Sequence, residues 1–397
     1  MKKKILIVSD SLNMGGLEKC LINLCDNLDY DKYEVDLYLF NEGRTLLSKL
    51  NKNVNLLPDS PFYRDLYNLP ILKSFTALIK KKQFGLLLYK LCRFIRIRFK
   101  DYSFRQTDWK YMKKAMLKID KEYDIAIGFA EGTSNYYVVD CINAKVKIGW
   151  MHTDLKRINH NWDLDEYAFK TLDRVVTVSE NSLNSLKEIH PNCIDKFVCI
   201  KIPGLMDYET INRLADEPND MDKNCIKILS VGRLVALKGF HLCVEPCKRL
   251  VDEGYNIKWY VAGEGDYRST IESEIQKHGV ENNFILLGNQ PNPYTYIKSA
   301  DICVQPSSYE GFSVTVFEGK YFRKPMVVTN IPSNMEMVEN EVNGLIIKRT
   351  PDSIYSAVKS LLDDPEKRAR LAKAPMKGSA TNTEIMAEIE ELFEIRQ

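Results

Sequence analysis

Residues 302–318 read ICVQPSSYEGFSVTVFE and combine an apolar strand, a loop and the start of a helix. Two carboxylates, Glu310 and Glu318, follow the strand with seven residues between them. Backbone N–H groups at the helix start, around Ser313, can bind a diphosphate at the carboxyl end of a parallel strand. An ionised carboxylate can accept hydrogen bonds from two vicinal hydroxyls, so the segment suits a nucleotide sugar, with Glu310 near the sugar and Glu318 near the ribose.

Short apolar runs alternate with helical patterns on both sides of this segment. Such runs are typical of buried parallel strands, whose right-handed crossovers place helices on both faces of one sheet. The first half has runs at 5–8, 35–40, 54–57, 125–129, 146–150, 175–178 and 197–200. The second half has runs at 226–231, 257–262, 284–287, 302–304, 326–328 and 345–347. The sequence therefore predicts an α/β protein with two Rossmann-like, doubly wound domains.

The length of the chain agrees with two domains, because 397 residues exceed what one hydrophobic core usually organises. The polar stretch 216–224 separates the two series of strands. We predict a first domain over 1–205 with a basic helical insertion at 62–118, a second domain over 206–375, and a terminal helix within 376–397. Thr381 and Glu384 predict a capping box at the start of that helix.

The composition predicts a cytosolic protein, since no apolar run reaches eighteen residues and the N-terminus leads directly into a strand. The ten cysteines are scattered without metal-type pairs, so we expect neither a disulfide framework nor a cysteine metal site.

The formal charge of +2 conceals a local excess of positive charge. The window 71–118 holds fourteen Lys or Arg against two Asp, a net charge of +12, and the rest of the chain carries −10. Apolar residues alternate with cations along 84–100, and basic amphipathic helices of this kind bind anionic membranes, with about 1 kcal/mol per cation. A solvated helix pair is the alternative. Nothing here resembles a nucleic-acid reader, so we expect no nucleic-acid partner.

A departing nucleoside diphosphate develops negative charge, and fixed cations or a metal must stabilise it. Arg233 and Lys238 lie five residues apart after the strand 226–231 and supply two cations. No Asp-x-Asp element follows a strand, so we predict catalysis without a metal or another cofactor.

Glycine turns and one histidine complete the candidate site. Gly15 and Gly16 follow the first strand and let the backbone approach a bound group, although a tight strand-to-helix connection is the alternative. His152 follows the strand 146–150 and is placed to donate a hydrogen bond to the transferred sugar, unless it is only structural. Gly263 ends a strand beside the nucleotide, with Asp266 as the predicted N-cap of the next helix, and Asn289 lies where the base would be recognised.

These residues resemble the signature of the retaining nucleotide-sugar glycosyltransferases of family 4, the glycosyl transferases group 1, whose Glu-x7-Glu element corresponds to Glu310 and Glu318. The segments 13–16, 150–152, 231–234 and 263–265, with Lys238, extend the resemblance over most of the chain. It departs at Ser313, where many members carry Gly or Asn, and at Gly319, where Ala is common.

The resemblance implies the GT-B fold, with two domains facing a cleft and a terminal helix that crosses back to the first domain. It implies catalytic roles for Glu310, His152, Arg233 and Lys238. The implied donor-binding set is Gly15, Gly16, Arg233, Lys238, Gly263, Asn289, Glu310, Gly311, Phe312, Ser313, Val314, Thr315 and Glu318.

The function implied is retaining transfer of a sugar, commonly from a UDP-sugar, to a glycan or lipid-linked acceptor in bacterial cell-surface polysaccharide synthesis. The +12 window would hold such an enzyme at the inner face of the cell membrane. One alternative is a nucleotide-sugar epimerase of the same plan, which would need further cleft carboxylates. The other is a catalytically silent partner subunit, against which the intact Arg233, Lys238, Glu310 and Glu318 argue.

Overall fold

The chain divides into two units in a computed structural model, with Met1–Leu205 and Ala380–Gln397 in unit 1 and Met206–Ser379 in unit 2. The structure describes residues 2–13, 15–41, 43–58, 71–98, 109–113, 116–157, 162–202, 218–377 and 380–395. The predicted boundary at 205/206 and parts of the predicted insertion 62–118 lie outside the described residues, as do the side chains of residues 92–100.

Unit 1 contains a seven-stranded, fully parallel sheet in the order β3-β2-β1-β4-β5-β6-β7. Its strands are β1 Lys3–Ser9, β2 Tyr33–Leu39, β3 Val54–Leu56, β4 Tyr123–Gly128, β5 Ala144–Met151, β6 Arg174–Thr177 and β7 Phe197–Cys199. The central strands are buried almost throughout, which explains why they form continuous apolar runs in the sequence.

Helices connect these strands on both faces of the sheet. Those described before residue 203 are α1 Gly16–Asn27, α2 Ile71–Lys80, α3 Phe84–Arg98, α4 Trp109–Met112, α5 Thr133–Cys141, α6 Trp162–Thr171 and α7 Glu180–Ile189. Helix α4 is anchored through Trp109, whose Nε1 donates to Asp140 Oδ2 at 2.7 Å. Part of the basic insertion is thereby fixed to α5.

Unit 2 repeats the plan with a six-stranded parallel sheet in the order β10-β9-β8-β11-β12-β13. Its strands are β8 Ile226–Val231, β9 Ile257–Ala262, β10 Phe284–Gly288, β11 Ile302–Gln305, β12 Met326–Thr329 and β13 Leu345–Ile347. Its helices are α8 Val244–Asp252, α9 Arg268–His278, α10 Tyr294–Ser299, α11 Val314–Tyr321, α12 Pro332–Met335, α13 Pro351–Asp363 and α14 Pro365–Lys373. The predicted fold, two doubly wound parallel α/β domains, is confirmed.

The terminal helix α15 Asn382–Phe393 belongs to unit 1. Its predicted capping box is present, since Thr381 N donates to Glu384 Oε2 at 2.8 Å and Glu384 N donates to Thr381 Oγ1 at 3.3 Å. Phe393 packs edge-on against Tyr33 of β2, with ring centroids 5.6 Å apart. The helix is thus part of the core of unit 1.

Helices α2 and α3 pack on each other through Leu78, Leu86 and Tyr89. Their other faces expose large apolar side chains, namely Leu72, Ile79, Phe84, Leu88 and Leu91. No described helix is both long enough and apolar enough to cross a membrane.

Candidate active site

The strand order of unit 2 reverses direction between the neighbouring strands β8 and β11, which form the switch point of this sheet. Doubly wound sheets bind ligands outside the carboxyl ends of the two strands at such a switch point. The loop after β8, residues 232–239, carries Arg233 and Lys238, and we call it the β8 loop. The loop after β11, residues 306–313, carries Glu310, and we call it the β11 loop. The structure therefore brings together the predicted cations and the predicted sugar-facing carboxylate.

Lys238 and Glu310 form an ion pair across the two loops, with Nζ and Oε1 separated by 2.5 Å. Only 17% of the lysine side chain and 11% of the glutamate side chain are exposed. A hydroxyl completes the array, because Ser307 Oγ donates to the same oxygen of Glu310 at 2.7 Å. The Glu310 carboxylate is thus fixed in place and its charge is balanced.

Ser307 was not predicted as a site residue, although it lies only three positions before Glu310. Its own hydroxyl accepts a hydrogen bond of 3.2 Å from Gln305 Nε2, and its carbonyl accepts one of 2.5 Å from Thr329 Oγ1. A buried hydrogen-bonded chain therefore runs from Gln305 at the end of β11 to the Glu310 carboxylate.

Arg233 differs from Lys238 in being exposed, so that its guanidinium faces solvent on the β8 loop. The turn bearing Arg233 is supported from below by the turn after β9. Leu234 N donates to Glu264 O at 2.9 Å, and Gly232 N donates to Ala262 O at 3.0 Å. The two turns thus form one backbone platform.

Gly263 has a packing role in that platform. Its φ is +155°, and a Cβ at this position would lie 1.8 Å from the carbonyl oxygen of Gly232. Only glycine permits this approach. The predicted N-cap at Asp266 is wrong, because α9 begins at Arg268 with Tyr267 as its N-cap, and Tyr267 N donates to Leu234 O at 2.9 Å. The helix therefore starts one residue later than predicted.

Helix α11 begins at Val314, directly after the β11 loop. Ser313 is its N-cap, and the Ser313 hydroxyl is buried without a hydrogen-bond partner in the structure. Thr315 Oγ1 donates to Val231 O at 3.4 Å, which places the first turn of the helix against the end of β8. Before the helix, Phe312 packs on Phe317 and Gly311 is partly buried. The N–H groups at this helix start lie beside the end of β8, and their binding of a diphosphate stays a prediction.

Two further predicted donor residues, Glu318 and Asn289, lie outside the β8 loop and the β11 loop. Glu318 is in the second turn of α11 and only 1% exposed. Asn289 is exposed after β10, whose last residue, Gly288, has a φ of +73°. Their contacts with ribose and base therefore stay predictions.

Unit 1 has its own switch point between β1 and β4, with β5 next to β4. His152 follows β5, its ring lies 4.9 Å from the Phe129 ring, and its backbone N–H donates to Glu131 Oε2 at 3.1 Å. Burial lowers the pKa of His152 to about 4, although the Glu131 charge and a hydrogen bond to the Phe129 backbone act in the opposite direction. The imidazole is therefore neutral at pH 7.

Because Nε2 has no partner in the structure, we assign the hydrogen bond to the Phe129 backbone, and with it the proton of the neutral ring, to Nδ1. Nε2 is buried and has no partner in the structure, so it presents a lone pair. A ring in this state accepts a hydrogen bond from a ligand hydroxyl, which reverses the direction that we predicted from the sequence.

Gly15 and Gly16 lie where they were predicted, at the start of α1. Gly15 is the N-cap with an extended φ of −168°, which any residue adopts. A Cβ there would meet only the Glu18 carboxylate, at 2.3 Å from Oε2. Backbone strain therefore does not require glycine at this position.

Asn135 is a buried polar residue that sequence inspection missed. It lies on α5, and a Cβ added to Gly128 of β4 would be 2.4 Å from its Oδ1. That oxygen is buried without a partner, as is Nε1 of Trp150. The only sequence signal is indirect, since Gly128 and Gly149 on adjacent strands make room for the side chain.

Among the described residues, no group of three His, Cys, Asp or Glu side chains could hold a metal ion. The absence of a metal from catalysis stays a prediction.

Residues 213–377 match the family model described as glycosyl transferases group 1. An uncharacterized glycosyltransferase of Methanocaldococcus jannaschii is 35% identical over 140 residues, which are 34% of this chain and 36% of that protein. The capsular polysaccharide biosynthesis glycosyltransferase CapM of Staphylococcus aureus is 25% identical over 159 residues, 40% of this chain and 42% of that protein. The match thus spans less than half the length of these relatives.

A likeness over the whole chain comes from a solved structure, HepE of Anabaena in complex with UDP and glucose. It superposes with a TM-score of 0.70 at 18% identity and covers 98% of this chain and 100% of that chain. At this identity the likeness shows the fold, which is the GT-B fold.

Proposed function

Residues 213–377 belong to the glycosyl transferases group 1, and from this premise we propose that the chain transfers a sugar from a nucleotide-sugar donor, a UDP-sugar, to a glycan or lipid-linked acceptor. The transfer proceeds with retention and without a metal. The observation that carries the proposal is the Lys238–Glu310–Ser307 array beside the start of α11. The UDP in the HepE structure supports the choice of donor, and the capsular role of CapM supports cell-surface polysaccharide as the product.

In the proposed complex the diphosphate binds the N–H groups at the start of α11, and Arg233 supplies the first cation. Negative charge grows on the diphosphate as the sugar–phosphate bond breaks, and a positioned cation stabilises that change more than it stabilises the ground state. Glu310 accepts hydrogen bonds from sugar hydroxyls. Unit 1 carries its own candidate groups, and there we propose that Nε2 of His152 accepts a hydrogen bond from a ligand hydroxyl and that the turn at Gly15 contacts the donor or the acceptor.

Lys238 has two roles in this proposal. Without donor it balances Glu310 at 2.5 Å. A bound diphosphate offers a second anionic partner close by, so the ammonium group, with three donors, can contact both the phosphate and the carboxylate. Lys238 thus connects the leaving group to the residue that holds the sugar.

We also propose that α2 and α3 contact an anionic membrane from which a lipid-linked acceptor is presented. Residues 71–98 contain eight Lys or Arg and no Asp or Glu. On the described surface, Leu72 is 82% exposed and Phe84 is 63% exposed, and Lys73 and Lys80 are exposed beside them. Exposed apolar side chains among cations combine insertion with attraction to anionic headgroups.

A donor panel tests the proposed transfer. Purified protein is incubated with UDP-, GDP- and dTDP-sugars, and release of the nucleoside diphosphate and thermal unfolding are recorded. We expect a UDP-sugar to be turned over and to stabilise the protein, by about 2.7 kcal/mol at a hundred times its dissociation constant. Turnover and stabilisation by none of the donors would reject the proposed function, and loss of turnover with a chelator would reject only its metal-independent part.

Liposome sedimentation tests the membrane contact. We expect the wild type to sediment with anionic but not neutral liposomes, and less at high salt, because salt screens exposed charges. Replacing Leu72, Ile79 and Phe84 by Ser, or Arg93, Arg96 and Arg98 by Ser, should reduce sedimentation. Equal sedimentation of wild type and both variants with both liposome types would leave α2 and α3 as a solvated helix pair.

A further inference from the structure

The β8 loop and the β11 loop are connected by more than the Lys238–Glu310 pair. Ser308 N donates to Leu237 O at 2.8 Å, which joins the two backbones directly. Leu237 directly precedes Lys238, and Ser308 lies two residues before Glu310. The distance between the Lys238 and Glu310 side chains therefore depends on the contacts between the backbones of the β8 loop and the β11 loop.

Arg349, two residues beyond the end of β13, contacts both loops at once. Its Nε donates to Pro306 O at 3.1 Å and its Nη2 donates to Ala236 O at 2.9 Å. Both acceptors are backbone carbonyls, one from each loop. A planar guanidinium holds such a pair of acceptors in a fixed geometry, which an ammonium group cannot do.

Gly239 makes room for this contact at the end of the β8 loop. Its φ is +74°, in the left-handed region. A Cβ at this position would lie 2.4 Å from Pro306 O and 3.1 Å from Arg349 Nη2. The backbone of the β8 loop is thus shaped to let the Arg349 guanidinium and the Pro306 carbonyl approach.

We propose that Arg349 is a positioning residue for sugar transfer, which clamps the β8 loop to the β11 loop and so fixes the Lys238 ammonium against the Glu310 carboxylate. The inference rests on the proposed function for its catalytic meaning. Its structural part, the coupling of the two loops, stands on the contacts alone. Displacement of catalytic groups by about 1 Å can cost 100-fold in rate, so a clamp outside the reacting groups controls turnover.

The test compares three variants, Arg349→Met, Arg349→Lys and Arg249→Met. Methionine keeps much of the side-chain stem and removes the guanidinium, and lysine restores a cation without the fork. Arg249 is the matched control, an arginine of the same unit that bonds Asp352 at 2.6 Å and stacks on the Tyr355 ring. We expect kcat to fall about 10- to 100-fold for Arg349→Met, by an intermediate factor for Arg349→Lys, and not for Arg249→Met.

Two readouts separate positioning from general stability. Hydrogen–deuterium exchange should speed up in peptides covering 232–240 and 303–313 for Arg349→Met, with no change for Arg249→Met. In a double-mutant cycle with Glu310→Gln, the loss caused by Arg349→Met should largely disappear, because Arg349 acts through the Lys238–Glu310 pair. Unchanged exchange and kcat in Arg349→Met, or a fully additive cycle, would overturn the proposal.

The exchange experiment also keeps the two proposals apart. If the wild type turns over no nucleotide sugar, the proposed function fails, but faster exchange in both loops still supports the clamp. If Arg349→Met does not fold, Arg349→Lys disturbs the same contact more gently. That variant must then raise exchange in both loops, and unchanged exchange would overturn the clamp.

Discussion

The two sheets share one order over six strands, to which unit 1 adds β7 at an edge, yet their switch points differ in how polar groups are used. In unit 2, Lys238, Ser307 and Glu310 bond one another across two loops. In unit 1, Nε2 of His152 and Oδ1 of Asn135 are buried and have no partner in the structure. One fold thus supports a preorganised ionic array in unit 2 and unpartnered buried polar atoms in unit 1, although the Ser313 hydroxyl of unit 2 also lacks a partner in the structure. The ionic array suits electrostatic stabilisation by charges that are already held in place, and the unpartnered polar groups suit direct hydrogen bonds to a ligand.

The largest expected effect comes from removing the charge at the centre of the unit 2 array. Glu310→Gln keeps the size of the side chain, but it leaves Lys238 without its ionic partner and weakens sugar binding in the transition state. We expect kcat to fall about 1000-fold with the fold intact, as measured by release of the nucleoside diphosphate and by circular dichroism.

Glu253→Gln is the matched control, because Glu253 also pairs with a lysine of unit 2, Lys359, at an exposed position. It should leave kcat unchanged. Similar activities of the two variants would contradict the role of Glu310.

The next effect concerns the backbone platform under the β8 loop. Gly263→Ala would place a Cβ 1.8 Å from Gly232 O at a φ of +155°, so both a clash and strain follow. We expect a loss of about 3 kcal/mol in the free energy of unfolding, measured by urea denaturation. Gly254→Ala is the control, with a φ of +88° and no heavy atom within 4 Å, and should lose only about 1 kcal/mol. Equal losses would mean that the platform is not closely packed.

A smaller effect is expected from His152, through pH. Its pKa is about 4 in the folded protein against an ordinary histidine pKa of 6.5, so between these two pH values the unfolded chain binds more protons. The contribution of the neutral ring to the free energy of unfolding is thus fully present above pH 6.5. It is lost as pH falls towards 4, by up to about 1.4 kcal/mol per pH unit. Urea midpoints of wild type and His152→Gln should therefore converge or cross as pH falls from 7.5 to 5. Parallel curves would contradict the buried neutral ring.

The smallest expected effect is that of Gly15→Ala at the unit 1 switch point. The extended φ of −168° suits alanine, and only the flexible end of Glu18 must move. We expect a change in unfolding free energy within about 0.5 kcal/mol. If the turn contacts the diphosphate, KM for the donor should nevertheless rise severalfold. A large loss of stability would instead assign this glycine a packing role like that of Gly263.

The strands could be predicted because buried parallel strands produce local apolar runs, and each predicted run corresponds to an observed strand. Lys238 and Glu310 were each predicted to follow a strand, but their contact was not predicted, because the sequence does not show that β8 and β11 are neighbours. Arg349 was not found, since its role depends on carbonyls of Pro306 and Ala236 that no side-chain pattern reveals. The proton position on His152 likewise depends on a hydrogen bond to the Phe129 backbone, which the sequence alone does not reveal.

The incorporation of α15 into unit 1 has a consequence for biosynthesis. Ile389 is fully buried and Phe393 packs on Tyr33, so the core of unit 1 includes residues translated after all of unit 2. Unit 2 is continuous in sequence and can fold as soon as it leaves the ribosome, in keeping with the folding of domains as units during synthesis. Unit 1 must wait with an apolar surface uncovered beside β2 until the last helix emerges. Nascent chains stalled before residue 382 should therefore bind chaperones through their N-terminal half, although that half is the first to be made.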